Sequence, residues 1–377
     1  MDFGFTREQE LLRKSVRDFA EAEIAPKALE LDKKGEFESE LVAKMGQLGL
    51  IGLTSSKEFG GSGMGHVARM IAVEELSRVY PSLGFFLQTG NLLMYAIDSF
   101  GTLEQKNKYL PALNKGAKTG AFAVTEPSGG SDPSTITTIA KTDGSGYVIN
   151  GRKTYISHAD VADVTGFLAK SGEGLTVFLV EKGTPGYEVT RREARLGLRS
   201  VPVNEFVLTD CRLPKENILG AEGKGIGLAI TSISVMGRTG AAGVALGATE
   251  GAYEAALKFC KERILYGKSI TNLQSIQFML VDMNTEIEAA KWLYYRPGCL
   301  LDQGKNPREV SVDIARSKLY CVDMAIRNCT KAVQLMGAYG LSPEYHVERF
   351  LRDVLELLSA AGTQEVMRLT IGGTITR

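Results

Sequence analysis

Phe122-Ala-Val-Thr-Glu-Pro-Ser-Gly-Gly-Ser-Asp132 begins as an apolar run and breaks at Pro127 into a loop of serine and glycine. Glycine there removes the Cβ that would hold a ligand away, so backbone N–H groups can approach an anion or a flat ring. A β-strand thus ends in a polar mouth. A second stretch, Asn150-Gly-Arg-Lys-Thr-Tyr-Ile-Ser157, reads as strand, turn and strand, with Asn150-Gly151 as a hairpin-type turn. Its return brings Ser157 toward Thr125 and Ser131, three hydroxyls placed to line one ligand.

On either side of these strands the hydrophobic period is helical. Thr6 and Gln9 form a capping box, Leu12, Val16 and Phe19 recur at helical spacing, and Pro26 is expected to stop the run. Further helices are expected over Glu38–Leu48, Val67–Val79, Leu83–Phe100 and Leu103–Leu110, the last ending at Pro111. Gly60–Gly65 lacks the Lys-Ser/Thr of a phosphate loop and reads as a flexible connector. From 121 to about 220, short β-rich runs such as Leu175–Val180 are separated by Gly, Asp and Pro, predicting an antiparallel β domain. From 225 to 377 about four long helices return, broken at Gly267, near Gly304 and after Gly337. The fold class expected is α+β multidomain, divided as 1–120, 121–224 and 225–377.

A chain of 377 residues exceeds the usual single core, which agrees with two or three domains. Lys+Arg and Asp+Glu are both 44, so nothing marks a surface for nucleic acid. Cys211, Cys260, Cys299, Cys321 and Cys329 form no C-x-x-C pair and no metal spacing with the three histidines, which reads as reduced thiols in a cytoplasmic protein without a metal. Met1-Asp-Phe-Gly-Phe-Thr6 shows no leader pattern, and no apolar run is expected to reach membrane-spanning length.

The two opening motifs, followed in order by Arg263…Tyr266-Gly267-Lys268, Gln334…Gly337 and Gly362-Thr363, resemble the acyl-CoA dehydrogenase family over nearly the whole chain. The resemblance implies an N-terminal helical domain, a central β-barrel-like domain and a C-terminal four-helix bundle, assembled as a homotetramer. It also implies FAD, an acyl-CoA thioester as substrate and an electron-transferring flavoprotein as partner. Thr125 and Ser157 match positions that bond the flavin ring edge, and Tyr155 matches an aromatic packed near it. Phe122, Val124 and Gly130 come with the same motif, and Ser131 matches a position shared between FAD and the pantetheine arm. Arg263, Tyr266, Gln274 and Gly337, with Gln334 of a neighbouring subunit, match the pyrophosphate and adenosine end. Thr363 and Glu365 match positions near the diphosphate and ribose. Arg238 and Gly362 match substrate-side positions.

Two departures bear on chemistry. The family carboxylate that takes the α proton usually precedes the Gly-Thr pair, where this chain has Ala361, and its alternative site is Gly237. The family's clamp on the thioester carbonyl, a backbone N–H at position 361 with a flavin ribityl hydroxyl, needs no side-chain acid. An intact clamp without an α-carbon base suits an α,β-unsaturated ring thioester that loses a γ proton, and Ala360 with Ala361 leaves room for a ring. The pattern therefore most resembles the cyclohex-1-ene-1-carboxyl-CoA dehydrogenases, which form cyclic dienes and use an aspartate on the pocket helix. In that helix Gln88 and Asn91 share a face toward the acyl group. Asn91 stands where the base is wanted; an aspartate there in the natural chain, with Asn91 as an inactivating replacement, is one expectation, and Asp98 is a fallback base. An ordinary α,β-dehydrogenase with another base, an oxygen-using relative and a non-catalytic flavoprotein are the alternatives.

Overall fold

The computed structural model describes residues 4–172 and 174–376; residues 1–3, part of the leader reading, lie outside it. The first third is helical: α1 (Arg7–Phe19), α2 (Ala28–Lys34), α3 (Ser39–Gln47), α4 (Gly65–Val79), α5 (Pro81–Phe100) and α6 (Leu103–Asn114). Thr6 and Gln9 close the capping box at α1. Pro26 does not stop the helical path, which runs through a π turn and a 3-10 turn into α2 and ends at Gly35, φ 61°. The proline falls in the first turn of the new segment, where its missing N–H forfeits no bond. Pro111 also lies inside its helix, where the burial of Tyr109, Leu110 and Leu113 offsets the one bond lost. Gly60–Gly65 is pinned rather than flexible: the N–H groups of Ser62, Gly63 and Met64 donate to the carbonyls of Gly52, Ser55 and Leu53.

Strands β1 (Gly120–Ala123), β2 (Ile139–Thr142), β3 (Gly146–Ser157), β4 (Val164–Ser171), β5 (Gly174–Glu181), β6 (Tyr187–Arg192), β7 (Val203–Pro214) and β8 (Ile218–Leu219) form one sheet. The order is β6-β7-β3-β2-β4-β5-β8, with β1 beside β4. Its pairings are antiparallel except that β1 and β2 both run parallel to β4. The excursion between β1 and β2 returns the chain in the direction it left, so the sheet is mixed. Phe167 packs on Phe178 and Phe206, with ring centroids 5.9 and 6.3 Å apart, in the core of this domain.

The last part is helical again. α7 (Gly225–Ser232) passes through a π turn, Ile233–Arg238, into α8 (Thr239–Glu262). A hairpin of β9 (Ile264–Leu265) and β10 (Lys268–Ser269) leads to α9 (Gln274–Asp302), α10 (Ser311–Met336), α11 (Val347–Glu356) and α12 (Gln364–Ile375). The run Gly225–Glu262 is long and apolar enough to cross a membrane, contrary to the expectation from sequence, but 83% of its apolar window is buried. It is apolar all round because other helices cover it. Close packing needs its glycines: a Cβ at Gly247 or Gly251 would strike the backbone of Glu74 or Arg78 on α4.

Candidate active site

The mouth at the end of β1 is held by a buried ion pair. Glu126 is 1% exposed, and its carboxylate accepts from the N–H and hydroxyl of Thr137 (both 2.6 Å), the N–H and hydroxyl of Thr138 (3.1 and 2.6 Å) and Lys153 Nζ (2.8 Å). Lys153 also donates to the Val124 carbonyl at 3.1 Å. Burial alone would raise the Glu126 carboxyl, but these donors outweigh it and hold it at about 2. Burial lowers Lys153 to about 8 against the pull of the pair. The loop between β1 and β2 is therefore tied down at both ends.

On that base Thr125, Gly130 and Tyr155 come together. The Thr125 carbonyl accepts from Thr154 N–H at 3.1 Å. The β3–β7 register slips between Lys153 and Ile156, and this bulge turns Tyr155 outward at φ 56°, 66% exposed. A Cβ on Gly130 would lie 2.6 Å from the Thr125 hydroxyl, so only glycine fits beside it. Ser157 ends the strand opposite Val203, half-buried. Phe122 lies beneath, its ring against Gly166, and Val124 packs on the core. Ser131 is exposed in the loop. An outward aromatic, a hydroxyl and a glycine loop suit a flat ring with a polar edge, the shape of the expected flavin.

The expected acyl-side residues lie on α5, on the helical path into α8 and in the turn before α12. Ala361 (φ 56°) and Gly362 (φ 100°) make that turn, and Thr363 caps α12 by accepting from Val366 N–H at 3.3 Å. Lys318, buried on α10, donates to the carbonyls of Leu358 (3.3 Å) and Gly362 (3.0 Å) and to Gln364 Oε1 (2.8 Å). Sequence reasoning missed it; the only signal was a lysine among Ile314, Ala315, Cys321 and Val322. Burial lowers Lys318 to about 8 and also lowers Arg238, whose Nε donates to the Ala361 carbonyl at 3.4 Å. A Cβ on Gly237 would lie 3.0 Å from Ala361 Cβ and 3.5 Å from Leu92. The two positions where a base is expected thus converge on one point, and neither carries an acid.

Along α5, Gln88 packs against Gly240, one turn further along α8. Asn91 is 2% exposed, and neither of its amide atoms has a hydrogen-bond partner within the protein; Gln88 Oε1 has none either. Asp98 does not join them. It is half-buried beside the Ser56 N–H and Lys106, and burial raises it. The fallback base thus faces Ser56 and Lys106 instead of Gln88 and Asn91.

The other expected cofactor residues gather elsewhere. Arg263 stacks over Tyr339 at 5.7 Å, and Gly337 (φ 59°) donates to the Gln334 carbonyl just before it. Tyr266 is 92% exposed, and Gln274 is exposed at the start of α9. Gln334, expected from a neighbouring subunit, lies at the same end of this chain as Arg263. Arg238 and Arg263 flank the 24 residues of α8, about 36 Å at 1.5 Å per residue. This set therefore lies about one length of α8 from Arg238 and the Ala361 turn it holds. Glu365 is exposed beside Thr363, 3.9 Å from Arg368.

Three family models cover the chain: "Acyl-CoA dehydrogenase, N-terminal domain" over residues 6–117, the middle domain over 121–211 and the C-terminal domain over 223–376. The chain is 42% identical to a short-chain specific acyl-CoA dehydrogenase of Clostridium acetobutylicum, with 100% of each covered. It superposes on the butyryl-CoA dehydrogenase of Megasphaera elsdenii with TM-score 0.96 and 37% identity, 100% of both chains covered. A chain from the solved structure described as the electron transferring flavoprotein of Acidaminococcus fermentans gives TM-score 0.97 at 37% identity, again over 100% of both. These names concern short-chain enzymes and an electron transferring flavoprotein; the likeness to an alicyclic type rests on Ala360, Ala361, Gly237 and Asn91.

Proposed function

Because the chain belongs to the acyl-CoA dehydrogenase family, we propose that it oxidises an alicyclic acyl-CoA, converting cyclohex-1-ene-1-carboxyl-CoA to a cyclic diene by 1,4-dehydrogenation. FAD is its cofactor, and when bound it supplies the acceptor for the hydride. Thr125, Ser157 and Tyr155 would hold the ring, with Ser131 shared with the pantetheine arm. Since Arg263, Tyr266, Gln274, Gln334 and Gly337 lie about one length of α8 away, a second subunit would supply them, in keeping with a homotetramer. Electrons would pass on to an electron-transferring flavoprotein in the cytoplasm.

The protein's own part in the reaction is to bind, polarise and deprotonate. Lys318 and Arg238 fix the carbonyls of the Ala361–Gly362 turn, which sets the Ala361 N–H as a donor to the thioester carbonyl. A preorganised donor of this kind favours the charge that develops when a proton leaves the conjugated ring. The α-carbon base is missing, and a general base must lie within hydrogen-bond reach of its proton. The observation that carries the reading is the joint absence of an acid at Ala361 and Gly237, which adjoin so closely that a Cβ on Gly237 would lie 3.0 Å from Ala361 Cβ. Asn91, buried with a free amide, occupies the position from which an acid would take the γ proton.

Asn91→Asp is expected to raise turnover of cyclohex-1-ene-1-carboxyl-CoA by about 10²- to 10⁴-fold, with NMR of the product showing a conjugated diene. No gain, or a product oxidised only at the saturated positions next to the thioester, would remove the proposal. In the runner-up, an ordinary short-chain α,β-dehydrogenase like the named relatives, linear saturated thioesters turn over faster than the ring.

A further inference from the structure

Every residue of α4 from Val67 to Val79 is buried, including four charged ones. Three are answered within the protein. Glu74 accepts from the Tyr295 hydroxyl, Glu75 pairs with Arg13 and Arg17 at 2.8 Å, and Arg78 pairs with Glu21 and Glu254. Arg69, 0% exposed, has one bond, from Nη2 to the Thr239 hydroxyl at 2.5 Å. Its Nε and Nη1 have no hydrogen-bond partner within the protein, and among the described residues no carboxylate pairs with it directly; Asp302, whose carboxylate accepts from the His66 and Val67 N–H groups, acts on it only from beyond contact distance. An unpaired buried guanidinium is costly and is retained where something else meets it.

Its place in the fold says what that is. In the α4–α5 hairpin, Gly84 meets Val73 and Ser77 while Tyr95 meets His66, which sets Arg69 opposite the Gln88–Leu92 stretch of α5. Thr239 precedes Gly240, the residue against which Gln88 packs. Arg69 and Gln88 thus reach neighbouring residues of α8, Thr239 and Gly240, with Asn91 one turn beyond Gln88 on α5, and each of the three has a buried polar atom without a partner in the protein. Gly237, with Ala361 beside it, lies about one turn, ~5 Å, before Gly240 on the same helical path.

We propose that this corner is a specificity subsite for a carboxylate on the acyl group, remote from the thioester. Arg69 supplies the charge, and Gln88 and Asn91 orient the acyl body beside it. The proposal rests on the acyl-CoA reading above and extends its substrate class to ring thioesters that carry a second carboxylate, which the site would prefer over the unsubstituted ring.

The test is a titration of the FAD-loaded protein with cyclohex-1-ene-1-carboxyl-CoA and with its analogue carrying a 4-carboxylate, following the shift of the flavin spectrum on binding. The carboxylate analogue is expected to bind at least about 10-fold more tightly, a preference that Arg69→Met abolishes and Arg69→Lys partly keeps. Gln88→Leu, a second variant should Arg69→Met fail to fold, is expected to reduce the preference about threefold. Equal binding by the wild type, an unchanged preference in both variants, or an equal loss of both thioesters in Arg69→Met overturns the proposal. If neither thioester perturbs the spectrum, the acyl-CoA reading fails with it; if only the apolar one binds, that reading stands and the subsite falls.

Discussion

Two buried charges in this chain are treated in opposite ways. Glu126 is met by Lys153 and by the backbone and hydroxyls of Thr137 and Thr138, so its group is satisfied before any ligand arrives. Arg69 is met only by Thr239. A saturated buried network fixes backbone in place, and here it fixes the loop that carries the flavin motif. A buried charge left open instead marks where the protein depends on something it binds. The first region is architecture, and the second is where the proposal places a ligand.

The contrast can be broken by measuring stability. Glu126→Ala strands Lys153 as an unpaired buried cation, and denaturant unfolding is expected to show a loss of about 3–5 kcal/mol. Arg69→Met removes a cation with no ion-pair partner and a single hydrogen bond, so the ligand-free protein is expected to keep its unfolding free energy or gain about 1–2 kcal/mol. If Arg69→Met destabilised as much as Glu126→Ala, Arg69 would belong with the architecture and the contrast would fail.

A smaller effect concerns Lys318, which like Lys153 is a buried cation with protein partners. Burial lowers it to about 8 from 10.5. Between those values the unfolded chain holds a proton that the folded chain has released, so this group makes stability rise with pH through that window. Lys318→Met is expected to flatten the rise, read as unfolding free energy from pH 7 to 10.5, and to loosen the Ala361–Gly362 turn. An unchanged slope would show that Lys318 does not titrate there.

What could be read in the sequence follows from which forces are local. Phe122–Asp132 announces its mouth because a strand end, glycine and hydroxyls are short-range signals, whereas the hairpin turn expected at Asn150-Gly151 does not form: β3 runs through it as one strand, Gly146–Ser157, paired with β2 and β7. The bulge at Tyr155 was not legible, since it exists only in the register of β3 against β7. Pro26 and Pro111 misled because a proline's effect depends on its place in a helical turn and on the packing around it. Arg69 and Lys318 were invisible for a different reason. On a helix a lone arginine or lysine looks like a solvated face, and only tertiary packing shows that α4 is enclosed from Val67 to Val79. The convergence of Gly237 and Ala361 likewise joins residues far apart in the chain. The empty base positions were legible one at a time, but not the fact that they face one another.

The most direct test of a thioester site without an α-carbon base is anaerobic reduction of the bound flavin by butyryl-CoA, compared between the wild type and Ala361→Glu. The wild type should bleach slowly or not at all, and Ala361→Glu faster by about 10²- to 10⁴-fold. Rapid bleaching of the wild type, with no gain from the glutamate, would contradict it.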